Sequence, residues 1–193
     1  MKSASRSAGS DAARGKAAVL AAAGRVGAKG KAVVRSRSGK PLDPLTTAVQ
    51  FLARGDRSIH RVTEFLRSRG YSPPVIRATR RTLKRLGYLN DDVTAFRLAE
   101  AQLRRRPMGR SGLSHFLTTR DFPPVVVDRA VRQAYNNNTE EAVAVSFLST
   151  IPVRFSDAMR EARRRGALLA RRGFSEDLIE ALLMSGLPDQ GQS

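Results

Sequence analysis

From Pro44 to about residue 186, large apolar side chains recur every three or four positions, and Gly, Pro or Asn breaks the pattern at intervals. That spacing is one face of an α-helix. No stretch alternates apolar and polar residues as a half-buried strand would. The one β-rich run, "VVV" at 125–127, directly follows Pro123 and Pro124, a placement typical of a helix start. The pattern therefore predicts an all-α fold. Before it, residues 1–43 carry almost no large apolar side chains. Ten cations there (Lys2, Arg6, Arg14, Lys16, Arg25, Lys29, Lys31, Arg35, Arg37 and Lys40) face two acids, Asp11 and Asp43. Burial cannot offset the ordering entropy of such a segment, so it reads as a disordered basic arm.

Within the helical region, three segments overlay without gaps: "FLRSRGYSPPVIRA" (65–78), "FLTTRDFPPVVVDR" (116–129) and "LLARRGFSEDLIEA" (168–181). Each closes one helix with an apolar pair and an Arg. A turn residue follows (Gly70, Asp121, Gly173), then an aromatic (Tyr71, Phe122, Phe174), then the polar or proline start of the next helix. The turn residues lie 51 and 52 positions apart, and a further helical stretch precedes each segment. The chain thus reads as three tandem three-helix repeats, at 44–90, 91–138 and 139–186, with a tail at 187–193. Gly70 and Gly173 suit a left-handed helix terminus, which glycine enters without a Cβ clash. Ser72 and Ser175 stand where a hydroxyl would cap the next helix. Asp121 is the exception: Asp tolerates the left-handed region less well than Gly, so this turn is expected either to differ or to be strained. One repeat of about 50 residues is marginal alone, and stacked neighbours would bury the remaining faces.

On a helical wheel, Val75, Ile76, Thr79, Thr82, Leu83 and Leu86 share one side of the second segment's helix, while Arg77, Arg80, Arg81 and Lys84 lie opposite. In "DAMREARRRGALLARRG", Met159, Ala162 and Leu169 face one way and Arg160, Arg164 and Arg171 the other, with Arg163 at the border. Arg104, Arg105, Arg106 and Arg110 form a third cluster. Charged helix exteriors are common, but between Arg77 and Asn90 there is no acid to supply i, i+4 pairs. The whole chain has 35 Lys and Arg against 17 Asp and Glu, a net charge of +18. Such an excess makes polyanions the natural partners: single- or double-stranded DNA, RNA, or an acidic protein surface. Tyr71, Phe122 and Phe174 look like core staples rather than base-stacking platforms, so contacts should go mainly to phosphate and ignore sequence.

These residues carry a family resemblance. "AVQFLARGDRSIHRVTEFLRSRGYSPPVIRATRRTLKRLGYLND" resembles the opening repeat of the RecX family, the regulators of the bacterial recombinase RecA, and "ALLARRGFSEDLIEALL" is similar to its C-terminal signature. Between them, "PMGRSGL" and "FLTTRDF" stand in the expected order, so the resemblance spans about 44–186. It implies an elongated, curved array of three repeats that binds in the groove of the RecA–single-stranded DNA filament. It further implies restraint of ATP hydrolysis and strand exchange, a role in DNA repair and the SOS response, direct DNA binding, and a cytoplasmic monomer. The chain departs from the family where Arg61 replaces the Glu of a capping box after Ser58, at Asp121, and in its long basic arm. That arm could give independent, salt-sensitive affinity for DNA.

Catalytic chemistry is not expected. His60 and His115 lie in different repeats without a ligand cluster, Ser114 beside His115 is an adjacency rather than a triad, and there is no cysteine. No cofactor or metal site is expected. "GAKGKA" at 27–32 lacks the spacing and the hydroxyl of a phosphate-binding loop. No apolar run reaches the roughly 18 residues that cross a bilayer. Two other readings are a nucleoid-type DNA-binding protein, which would rely on the arm and stripes alone, and a winged-helix transcription factor. The latter needs a β-hairpin after "LGYL", where "NDDVTAFRLAEAQLRR" reads as helix.

Overall fold

The computed structural model of the chain describes residues 43–136 and 138–184. Among the described residues there are nine helices and no strand. The predicted arm lies outside them except for Asp43, as does the tail. Asp43 belongs to the fold: its carboxylate accepts from the Thr46 amide at 2.9 Å and caps α1 (Pro44–Leu52). An acceptor at this position satisfies an otherwise orphaned helix amide.

The described residues form two compact units. One comprises the chain to Gly55 together with Arg61–Leu89, and the other Asp56–His60 together with the chain from Asn90 onward. The first unit holds α1, most of α2 (Ile59–Ser68) and α3 (Pro73–Arg85). Ala48, Val62, Leu66, Tyr71, Ile76, Leu83 and Leu89 form its buried core. The buried Thr47 hydroxyl meets the Tyr71 hydroxyl at 3.0 Å, so both polar tips are satisfied. Ser72 precedes α3 but makes no side-chain cap, contrary to expectation. Pro73 and Pro74 fill the first two helical positions and bring no N–H, so of the two amides a cap can serve only that of Val75 is left.

The second unit contains α4 (Asp91–Arg105), α5 (Arg110–Thr118), α6 (Pro124–Ala134), α7 (Glu140–Ser149), α8 (Ala158–Ala170) and α9 (Glu176–Met184). One core gathers Ala95, Ala99, Leu113, Leu117, Phe122, Val127 and Val131, with α4 packed along α6. Ala95 and Ala99 are fully buried and let the two helices approach closely. A second core joins Ala144, Phe147, Leu148, Leu169, Phe174 and Leu182. Asn90, Thr139 and Asp157 cap α4, α7 and α8 by accepting from Val93, Ala142 and Arg160 amides. α4 runs through the stretch where a winged helix would place its hairpin, so that reading fails.

The three aligned turns share one geometry. Gly70, Asp121 and Gly173 have φ of 81°, 58° and 74°, all left-handed. After the two glycines, the Tyr71 and Phe174 amides donate back to Leu66 and Leu169 carbonyls at 3.3 Å. This is the 6→1 bond of a Schellman terminus. Tyr71, Phe122 and Phe174 are 5, 4 and 4 % exposed, so each aromatic seals the turn it follows. Asp121 occupies the same conformation that glycine takes elsewhere, rather than a different turn.

One expected helix face is corrected. In α8 it is Glu161, Arg165 and Gly166 that share the buried side with Leu169, while Met159 is 64 % exposed. The Glu161 carboxylate accepts from Arg165 Nε at 2.9 Å and from the Arg154 and Phe155 amides at 3.3 Å. A paired and hydrogen-bonded charge is tolerated in a core, and this one ties the loop before α8 to the helix.

Candidate nucleic-acid interface

α3 turns its core face inward through Ile76, Thr79 and Leu83, which are buried, with Val75 and Thr82 half-buried and Leu86 41 % exposed. The opposite face is cationic. Arg77, Arg81 and Lys84 are exposed, and Arg80 is half-buried with a buried Nε that has no partner. None of the four makes an ion pair among the described residues. Arg77, Arg81 and Arg85 follow one another at i, i+4 spacing, about 6 Å along the axis. Like charges that close repel one another, so the stripe is a standing cost that an anion would relieve.

The clusters of the second unit are less uniform. Arg104, Arg105 and Arg106 are exposed at the end of α4, and Arg104 lies 3.9 Å from Glu100. Such an exposed pair is weak and leaves the cation available. Arg110 is more committed: its Nε lies 3.4 Å from Glu140, and its guanidinium sits 4.7 Å above the Tyr135 ring. Burial and the Glu140 charge push the Tyr135 hydroxyl well above its ordinary range, against an opposing effect of Arg110. That hydroxyl donates to the Met108 carbonyl. Arg163 and Arg171 are exposed, and Arg160 lies 4.1 Å over the Phe155 ring. Arg164 does not face outward as the wheel suggested. It lies 3.5 Å from Glu161 and donates to the Pro152 carbonyl at 2.9 Å, which anchors the loop before α8.

Two arginines that sequence reasoning passed over, Arg120 and Arg172, stand at the turns themselves. Burial first, and then the charge of Arg57 for Arg120 and of Arg106 for Arg172, lowers each from the usual arginine range. Arg172 thus brings the end of α4 and the end of α8 into one cationic neighbourhood. It also donates to the Pro107 carbonyl at 2.8 Å and covers the Phe147 ring at 3.9 Å. The signal was present in the Arg that recurs just before each turn residue, but the wheel treated helices singly.

Two helix-end joints lie within the second unit. At the first, Ser58 Oγ donates to the Arg120 carbonyl at 3.0 Å, and the Ile59 amide donates to Asp91 at 2.8 Å. At the second, the Gly109 amide donates to the Arg172 carbonyl at 3.0 Å, and the Arg110 amide donates to Glu140 at 2.9 Å. The Gly112 amide reaches the Gly173 carbonyl at 3.4 Å. In both, the N-terminus of a helix takes a carboxylate from the start of the helix two further along the chain and meets the carbonyl end of a later helix. The helix dipole favours both partners there. Gly109 is required by contact: a Cβ on it would lie 2.1 Å from the Gly173 carbonyl oxygen.

Among the described residues, no group of three or more His, Asp or Glu could hold a metal, and no helix is long and apolar enough to cross a membrane. What the described residues present here is cationic helix faces and helix-end joints. No family model matches the chain. It is 26 % identical over 167 residues to the regulatory protein RecX of Streptomyces coelicolor, covering 82 % of this chain and 87 % of that one. The RecX regulatory protein of Streptomyces lividans matches to the same extent. Its fold is similar to the crystal structure of RecX from Lactobacillus salivarius, with a TM-score of 0.67 at 18 % identity over 74 % of this chain and 93 % of that one. A second RecX crystal structure gives 0.62 at 14 % identity, covering 96 % and 83 %. Sequence relatives and structural neighbours together support the RecX family of regulatory proteins for this chain.

Proposed function

We propose that this chain regulates the recombinase RecA by binding in the groove of its filament on single-stranded DNA, and that it slows ATP turnover and strand exchange there. The observation that carries the reading is the α3 stripe, whose cations have no acidic partner among the described residues. A groove lined by DNA phosphates and acidic protein would supply the missing anions, and neutralising phosphates releases counterions that favour binding. Three tandem three-helix repeats are the architecture proposed for presenting such faces at intervals. The two joints support it: Ser58 and Gly109 are 51 residues apart, Arg120 and Arg172 are 52 apart, and their hydrogen bonds correspond. Direct contact with single- or double-stranded DNA, a monomeric state and a cytoplasmic location belong to the same proposal.

The test is RecA ATP hydrolysis on single-stranded DNA with increasing amounts of this protein. Turnover is expected to fall at substoichiometric protein. An unchanged rate at equimolar protein would remove the reading and leave sequence-independent DNA binding as the remaining activity to measure.

A further inference from the structure

An open groove of about 730 Å³ runs between α8 and α9 in the second unit. Ala162 and Gly166 line it from α8, and Ile179 and Leu183 from α9. Met159 and Met184 stand at its edges, 64 and 79 % exposed. Gly166 keeps the helices close, since a Cβ there would meet Leu183 Cδ1 at 3.1 Å. The charges beside the groove differ from the rest of this +18 chain. Glu176 and Glu180 lie on the α9 side, without ion-pair partners among the described residues, and Arg163 lies on the α8 side.

A comparison within the chain indicates what could cover this surface. Val127 and Val131 of α6 align with Ile179 and Leu183 and are only 3 and 6 % exposed. α6 has the fifteen-residue helix α4 packed on it, whereas α7, the counterpart of α4, has ten residues. Ile179 and Leu183 remain half-buried. A terminal repeat in a solenoid ordinarily turns a polar face outward; this one keeps an apolar one. Methionines at a groove edge adapt to varied apolar side chains.

We propose that the groove between α8 and α9 docks an amphipathic α-helix of a partner protein, one with an apolar stripe and lysine or arginine along the edge that faces Glu176 and Glu180. The comparison with α6 rests on the three-repeat reading, while the groove and its charges stand without it. A cationic helix is repelled by most of this chain, so the two carboxylates would direct it to this place and orient it, with Arg163 rejecting a cation on the opposite edge. The groove is too small to bury the roughly 800 Å² per partner that a stable protein dimer needs, which favours a single helix over a second copy.

Binding of labelled sixteen-residue Leu/Ala helical peptides to the full-length chain, read by fluorescence anisotropy, tests this. The peptides differ only in carrying Lys, Gln or Glu along one edge. The Lys-edged peptide should bind saturably, and at least tenfold more tightly than the Glu-edged one. Replacing Glu176→Gln and Glu180→Gln together should shrink that ratio to about twofold. Met159→Asp and, separately, Met184→Asp should abolish binding with far-UV circular dichroism unchanged, and RecA ATPase modulation should persist in both. Absence of saturable binding, tighter binding of the Glu-edged peptide, or indifference to both methionine variants would overturn the proposal. So would a dimer that Met159→Asp dissociates, which assigns the groove to a second copy. A tenfold gain in peptide affinity on deleting residues 1–42 would assign it to this chain's own N-terminal segment and overturn the proposal as well.

Discussion

Replacing Gly173 by alanine should destabilise the chain far more than replacing Gly87, although the two glycines have nearly the same backbone conformation. Gly173 has φ of 74° and Gly87 of 73°. Each follows a helix and lets the next amide donate back five residues, Phe174 to Leu169 and Tyr88 to Leu83. Holding an L-residue in that region costs about 1–2 kcal/mol, and both variants incur that cost. The surroundings differ. A Cβ on Gly87 meets nothing within 4 Å, whereas one on Gly173 would lie 2.3 Å from the Gly112 nitrogen and 2.6 Å from its Cα. Both neighbours are backbone, so no side chain can swing aside, and the turn after α8 must part from the start of α5. That separation removes the Gly109–Arg172 and Gly112–Gly173 hydrogen bonds, each with a net worth of about 1 kcal/mol. The expected loss is therefore about 1–2 kcal/mol for Gly87→Ala and roughly 3–4 kcal/mol for Gly173→Ala. Urea unfolding followed by circular dichroism at 222 nm measures both, with the slope checked for constancy. Equal losses in the two variants would show that the α5–α8 joint carries no stability, and the account of how it is held would fall.

Two further predictions concern charge. Changing Arg77, Arg81 and Lys84 together to Ala should leave helicity intact, weaken binding to single-stranded DNA of any sequence, and flatten the log–log salt dependence by about 2, three contacts at about 0.7 each; unaltered affinity and slope would assign the stripe to a merely solvated face. For Glu161, burial pushes the carboxyl upward, but the Arg165 hydrogen bond, the Arg154 amide, the Arg164 charge and the Phe155 amide outweigh it and hold the carboxyl below its ordinary range. A depressed value in the folded state means its stabilisation is complete above the ordinary carboxylate range and drains away as pH falls through the folded value. Glu161→Gln should thus lower stability at neutral pH and narrow the gap to the parent as the solution is acidified. A gap that stayed constant down to pH 2 would refute the ion-pair account.

Much of the architecture was legible because it depends on near neighbours along the chain. The three-to-four spacing of apolar residues predicted helices in every described segment, and the "RGY", "RDF" and "RGF" runs predicted the turns. Asp121 was expected to strain the turn; it stands in the left-handed region all the same, because the flanking helices and buried Phe122 determine the path. Ser72 was expected to cap but makes no side-chain cap bond, and Pro74 removes one of the two amides it could have served. The cationic stripe of α3 was readable from the absence of acids between Arg77 and Asn90. Arg110 and Arg164 were not readable as paired. Arg110 meets Glu140 from thirty residues away, and Arg164 anchors a loop twelve residues back as well as meeting nearby Glu161.

By itself, then, the amino-acid order determined helix positions, turn chemistry and the surplus of positive charge, since each follows from contacts within four or five residues or from simple counting. Only the tertiary structure decided that Glu161 and Arg165 lie inside while Met159 lies outside, and that helix starts at Ile59 and Arg110 are met by carboxylates and carbonyls from distant segments. The reason is physical: a charge can be buried, and a helix end left without its own cap, only where folding brings a compensating group from elsewhere in the chain.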